Sequence, residues 1–102
     1  MCSSDLFMSE VNYAEVKYTI IRKDGVEAWN HAAGVLESLP IEFFPATRDL
    51  ADVAADFKSR ISFSLADAFA AALAKEKKAE LVTGDPEFKA LAKEIKIAWL
   101  KS

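Results

Sequence analysis

The sequence predicts a single α/β domain with a mostly parallel sheet. The chain has 102 residues, which allows one domain of ordinary size. Hydrophobic residues make up 52% of it, enough for a core and too many for a disordered chain. Short strand-like runs alternate with stretches of helical periodicity, which is the pattern of parallel strands joined by helices.

Composition and charge exclude several classes of protein. The formal net charge of −3 predicts no general attraction to nucleic acid, so any RNA contact must be local or mediated by a metal. Cys2 is the single cysteine and cannot form an intramolecular disulfide, and no signal segment opens the chain, so we expect a cytoplasmic protein. The apolar run Ile61–Ala74 is too short to span a bilayer, which needs about 20 residues. With His31 as the single histidine, multi-histidine zinc sites are excluded and carboxylates remain as the catalytic groups.

The first half of the chain predicts two helices between two strands. The run Leu6–Met8 is strand-like and leads to Ser9, which can cap a helix that Asp24-Gly25 ends. Apolar residues at helical spacing over Val26–Leu39 predict a second helix, stopped by the proline that follows. The run Ile41–Phe44 predicts a strand.

The second half continues the alternation of helices and strands. A helix is predicted over Thr47–Ile61, with its threonine as cap, and a second over Leu65–Lys77. The latter is apolar on nearly every side and is therefore expected to be buried. The run Glu80–Thr83 predicts a strand, Pro86–Glu94 a helix, and Ile95–Leu100 a last strand. Ligands of parallel sheets bind beyond the carboxyl ends of strands, where Asp85 lies.

Three carboxylates stand out, and each also has a structural explanation. Glu15 lies on the apolar stripe of its helix, or else at the edge of that stripe, in contact with solvent or a lysine. Asp67 lies in the most apolar helix, where Ser64 and Asp67 also match a capping box. Asp85 follows a strand and also suits the N-cap of the helix that starts at Pro86.

Considered together, the three acids indicate a metal site. Mg²⁺ and Mn²⁺ prefer several oxygen ligands, and a pair of such ions activates water in phosphodiester hydrolysis. Spacing alone does not show that the acids converge. Among the other residues, Trp29 and Trp99 fit core positions and His31 fits the surface. The run Lys75–Lys78 fits a solvated helix end whose lysines could also contact a phosphate backbone.

Two motifs in the second half resemble a known family. The run Ser64–Ala74, followed by Leu81–Phe88, resembles the C-terminal half of a PIN domain, as in VapC-type toxin ribonucleases. Upstream, Ser9–Val16 resembles the segment that carries the helical glutamate of that family. The resemblance covers Leu6 to Leu100.

The resemblance implies a three-layer α/β/α fold and a ribonuclease that hydrolyses RNA phosphodiester bonds with Mg²⁺ or Mn²⁺. It assigns Glu15, Asp67 and Asp85 as catalytic, metal-binding acids, with Thr83 in a supporting role. It also implies a homodimer and a cognate antitoxin that binds the acidic groove.

The beginning of the chain departs from the family pattern. PIN domains open with a strand that ends in an aspartate, followed by a helix, and this chain begins where the second strand is expected. Asp5 lies in the wrong context to replace that aspartate. We therefore expect a PIN domain that is truncated at its N-terminus. Exchange between subunits could fill the gap that the missing strand leaves. We expect its ribonuclease activity to be impaired by the truncation. The alternative hypothesis is a catalytically inactive PIN remnant that acts as a binding or assembly module. A third hypothesis is a small regulatory α/β domain in which Asp67 and Asp85 are only caps.

Overall fold

The computed structural model describes residues 6–100. Cys2 and Asp5 lie outside the described residues. The chain divides into two compact units, one ending at Pro45 and one beginning at Ala46. Each unit is described by itself. No helix within residues 6–100 is long and apolar enough to cross a bilayer.

The first unit contains two helices between two paired strands, as predicted. Its elements are β1 (Leu6–Ser9), α1 (Glu10–Asp24), α2 (Val26–Ser38) and β2 (Ile41–Phe44). The two strands pair in parallel, from Leu6 opposite Ile41 to Ser9 opposite Phe44. The Ser9 hydroxyl accepts a hydrogen bond from the backbone N–H of Asn12 and so caps α1. Gly25 separates the helices at φ 94°, a conformation that side chains with a Cβ rarely adopt.

An aromatic cluster joins the elements of the first unit. Trp29 of α2 is buried, as predicted. The ring of Tyr13 on α1 meets Trp29 edge-on at a centroid distance of 5.6 Å and Phe43 of β2 at 5.7 Å. The Lys17 ammonium lies 5.6 Å from the centre of the Trp29 ring. Tyr13 therefore links α1 with both α2 and β2.

The second unit confirms a parallel strand pair joined to helices. Its elements are α3 (Arg48–Arg60), α4 (Leu65–Lys77), β3 (Glu80–Thr83), a 3₁₀ helix (Pro86–Leu91) and β4 (Lys96–Trp99). The strands pair in parallel, from Glu80 opposite Lys96 to Thr83 opposite Trp99. The expected α-helix over Pro86–Glu94 is wrong in type and length. Its apolar anchors Phe88 and Leu91 are both buried and three residues apart, which is the repeat of a 3₁₀ helix.

The core of the second unit surrounds α4. Seven α4 residues are buried, which confirms the prediction: Ala66, Ala68, Phe69, Ala71, Ala72, Leu73 and Ala74. The buried side of α3 packs on α4, with Phe57 fully buried. The alanines let the two helices approach closely, because they add little volume at the contact. Trp99, expected in the core, is 42% exposed, because it lies at the end of β4.

A charged cluster on the surface ties α3 to the segment before β4. The Arg60 guanidinium donates two hydrogen bonds to the Glu94 carboxylate, at 2.9 and 3.2 Å, and one to Asp56 at 2.9 Å. The hydrogen bonds from Arg60 lower the pKa of Glu94. The groups are exposed, so we expect the cluster to contribute less than the buried helix contact.

We predict that Phe57→Ala lowers the free energy of unfolding by about 3–5 kcal/mol, because it opens a cavity between α3 and α4. Leu65→Ala is the matched control on a 55% exposed side chain, and there a change within about 0.5 kcal/mol is expected. Urea denaturation followed by circular dichroism measures both. Equal losses in the two variants would contradict the assigned core.

We predict that Glu94→Gln makes stability less sensitive to acid. The pKa of Glu94 lies below its ordinary value of 4.5, so its pairing with Arg60 stabilises the fold above that pH. This stabilisation is lost as the pH falls through the lowered pKa. Unfolding measured between neutral pH and about pH 3 should therefore show a shallower decline below pH 4.5 for the variant. Arg60→Gln should have the same effect, and a steeper decline in either variant would contradict the pairing.

Candidate functional site

Asp85 lies just beyond the carboxyl end of β3, where the sequence places it. Its carboxylate Oδ1 accepts a hydrogen bond from the backbone N–H of Glu87 at 2.9 Å, which caps the 3₁₀ helix. Its own backbone N–H donates to the hydroxyl of Thr83, the last residue of β3, at 3.1 Å. Thr83 therefore helps to fix the turn that presents Asp85.

Asp67 is the third residue of α4 and takes part in a capping box with Ser64. The backbone N–H of Asp67 donates to the Ser64 hydroxyl at 3.0 Å, and the backbone N–H of Ser64 donates to Asp67 Oδ2 at 3.4 Å. The structural explanation of Asp67 is thus observed. It does not exclude a second role, because a carboxylate offers about four lone-pair positions and this bond uses one.

Glu15 lies in the middle of α1, in the first unit. Glu15 is half-buried. No residue of α1 is fully buried, so the helix accommodates a carboxylate without placing it in an apolar interior. His31, on α2, is exposed and fits the surface position expected of it.

The predicted acidic cluster is not assembled within the described residues. Over residues 6–100, no three His, Cys, Asp or Glu side chains lie close enough together to hold a metal ion. The donor chemistry of Glu15, Asp67 and Asp85 suits Mg²⁺ or Mn²⁺, because all three supply carboxylate oxygens. Their role as metal ligands stays a prediction.

Sequence reasoning did not identify two cavities. One, of about 510 Å³, lies in the first unit and is lined by Glu10, Tyr13, Ala33, Leu36, Glu37 and Phe43. The sequence feature that indicates this cavity is the pair of neighbouring amphipathic helices, which supply most of its lining residues. The other, of about 210 Å³, lies in the second unit, at the carboxyl end of α4. The lysine run after Ala74 indicates a basic surface at this end of α4. Lys96 reaches the cavity because β3 pairs with β4, and the residue spacing of the sequence does not show that pairing.

Comparison with known proteins identifies the family. The family model described as "PIN domain" matches residues 2–94, which is most of the chain. No curated protein and no solved structure matches the chain significantly. PIN domains are α/β nucleases that typically depend on divalent metals and bind RNA, and they often have antitoxin partners. The parallel strand pairs and the order of helices described above agree with this fold. The chain therefore belongs to the PIN domain family.

Proposed function

We propose that this protein is a metal-dependent ribonuclease of the VapC toxin type, which hydrolyses RNA phosphodiester bonds. Glu15, Asp67 and Asp85 are the proposed ligands of Mg²⁺ or Mn²⁺, and Thr83 supports Asp85. The observation that carries the proposal is the position of Asp85, at the carboxyl end of a parallel strand in a PIN domain. The proposed setting is the cytoplasm, with a cognate antitoxin as partner and a homodimer or strand-exchanged oligomer as the assembly.

The topology of the second unit supports a shared position for Asp67 and Asp85. Helix α4 leads into β3, and the ring of Phe63, just before α4, lies 5.2 Å from the ring of Phe88, in the 3₁₀ helix that follows β3. The chain therefore returns along β3 towards the start of α4. Asp67 lies ten residues before the end of α4, which is about 15 Å along a helix. Asp85 lies five residues beyond the start of β3, which is about 17 Å along an extended chain. The two carboxylates are therefore expected at the same end of the α4–β3 pair.

The hydrogen bonds around Asp85 support its use as a ligand. The Thr83 hydroxyl and the N–H of Glu87 hold the turn on both sides of the aspartate. A ligand fixed in this way loses little conformational freedom when it binds an ion. Thr83 positions Asp85 by fixing the turn, so its proposed role is that of a supporting residue.

A second candidate is an inactive PIN remnant that serves as a binding or assembly module. The observations that favour it are the capping bonds of Asp67 and Asp85 and the lack, within residues 6–100, of a group of three acids around one point. In this reading both aspartates stabilise helix starts and do nothing else. Substitution of aspartate by asparagine separates the two readings, because the side-chain oxygen of asparagine still accepts the capping hydrogen bond but carries no charge.

We predict that Mn²⁺ raises the melting temperature of the wild-type protein, by an amount equivalent to about 2.7 kcal/mol at 100 times the dissociation constant. Asp67→Asn and Asp85→Asn should remove this shift and leave the melting temperature without metal nearly unchanged. Ser64→Ala is the matched control, because it should lower the melting temperature by removing a cap worth about 1 kcal/mol, while it keeps the Mn²⁺ shift. Scanning calorimetry and isothermal titration measure both effects. If Mn²⁺ neither stabilises nor binds the wild-type protein, the metal site is contradicted and helix capping is the only role left for Asp67 and Asp85.

We predict that the protein cleaves single-stranded RNA in the presence of Mn²⁺ and that Asp85→Asn reduces the rate roughly 100-fold or more, as expected when a group that stabilises charge is lost. Asp52→Asn, on the exposed surface of α3, is the matched control and should keep the wild-type rate. A fluorescent RNA separated on a gel gives the rates, with EDTA as the reference without metal. Equal rates in both variants would contradict the assignment. RNA or peptide binding without any cleavage would favour the inactive module.

A further inference from the structure

Three lysines from two segments of the chain line the cavity at the carboxyl end of α4. We call it the lysine cavity; it has a volume of about 210 Å³ and is lined by Ala74, Lys75, Lys78, Ala79, Glu94, Ile95 and Lys96. Lys75 lies in the last turn of α4, Lys78 follows that helix, and Lys96 is the first residue of β4. A basic helix end accounts for the first two through the helix dipole. It does not account for Lys96, which reaches the cavity through the parallel pairing of β4 with β3.

The charge of these lysines is not cancelled by the one acid among the described lining residues. The Glu94 carboxylate is already paired with Arg60, which donates to both of its oxygens at 2.9 and 3.2 Å. Lys75 Nζ lies farther away, at 4.0 Å from Glu94 Oε1. Arg60 and Lys75 share the carboxylates of Asp56 and Glu94. Within residues 6–100 neither Lys78 nor Lys96 forms an ion pair, although Glu80 lies opposite Lys96 in the strand register, so these two lysines supply the positive charge of the cavity.

The backbone of Lys78 supplies an independent observation. Its φ of 53° and ψ of 37° are left-handed, and within residues 6–100 it is the only non-glycine residue with a positive φ. Helices commonly end at such a position with glycine, because a Cβ there approaches the backbone closely. A lysine is less stable at this position than glycine would be. Lys78 thus places a charge beside the cavity at a cost to helix stability. This cost indicates that the lysine has a function other than stabilising the fold.

We propose that the lysine cavity binds a phosphate group of single-stranded RNA. Lysine is a compact charge well suited to phosphate, and neutralised phosphates contribute affinity without regard to sequence. The volume holds a phosphate with several waters, each of which takes about 30 Å³. The choice of RNA as the source of the phosphate rests on the proposed function. The binding itself requires neither a metal nor cleavage.

The position of the cavity gives it a role in placing the substrate. The expected positions of Asp67 and Asp85 lie at the opposite end of the α4–β3 pair, about 15 Å away along the helix. A phosphate held by Lys78 and Lys96 is therefore not the phosphate that would be cleaved. These lysines bind a neighbouring part of the RNA chain and hold it along the second unit.

Fluorescence anisotropy of a labelled single-stranded RNA, with the full chain in EDTA, tests the proposal without cleavage. Lys78→Gly and Lys96→Gln should each weaken binding roughly three- to fivefold and reduce the salt dependence by about 0.7 in log–log slope, the value for one phosphate contact. Lys78→Gly should at the same time raise the melting temperature by relieving the left-handed backbone. Lys78→Arg should keep the wild-type affinity. Lys75 is left unchanged because its ammonium lies 5.5 Å from the Phe57 ring centre and contributes to packing.

Lys58→Gln is the matched control, because it removes one exposed lysine of α3 outside the cavity. An equal loss of RNA affinity in this variant, or no RNA binding by the wild-type protein, would overturn the proposal. Binding to phosphatidylserine vesicles with the same dependence on Lys78 and Lys96, and no RNA binding, would assign the cavity to a membrane surface instead and overturn it as well. Wild-type RNA binding in EDTA combined with no cleavage in Mn²⁺ would refute the proposed ribonuclease and leave the lysine cavity intact.

Discussion

The burial of α4 is the constraint on which the second unit depends. Its alanines, Phe69 and Leu73 leave almost no polar side, so the helix is stable only when other elements cover it. Helix α3 covers one part, with Phe57 fully buried. Four further side chains of this unit are buried, in the segment before α4, the 3₁₀ helix and the segment before β4: Phe63, Phe88, Leu91 and Ile95. The short 3₁₀ helix after β3 follows from the same need, since it places two of these side chains three residues apart.

Because α4 is buried along most of its length, its polar and charged side chains lie at its two ends. At the start of α4, the Ser64 and Asp67 side chains accept hydrogen bonds from two backbone N–H groups, and an acid suits the positive end of the helix dipole. At the other end, Lys75 and Lys78 suit the negative end of the dipole, and the turn into β3 begins there. Because the chain returns along β3 towards the start of α4, Asp67 and Asp85 are expected at the end of α4 opposite the lysine cavity. A single packing requirement thus positions these two regions of the second unit.

The sequence predicted the elements that local signals determine. Ser9, Thr47 and Ser64 cap helices as expected, and the ends of the first two helices fall where glycine and proline indicate. The 3₁₀ helix was missed because a spacing of three residues fits a short α-helix equally well. The exposure of Trp99 and the approach of Lys96 to the lysine cavity depend on the pairing of β3 with β4, which no local pattern shows. The same limit applies to the site: Asp67 and Asp85 could be placed as caps, but Glu15 is 52 residues from Asp67, and only tertiary structure decides whether they share an ion.

The central claim is that Glu15, Asp67 and Asp85 bind one divalent ion. Paramagnetic broadening by substoichiometric Mn²⁺ in the amide spectrum of the ¹⁵N-labelled protein tests it directly. The claim predicts that the signals of these three residues broaden together at the lowest Mn²⁺ level, before that of Asp52, and that Asp85→Asn removes the broadening at all three positions. Broadening at Asp52 and Glu15 at the same Mn²⁺ level, with Asp67 and Asp85 sharp, would contradict it and leave the two aspartates as helix caps.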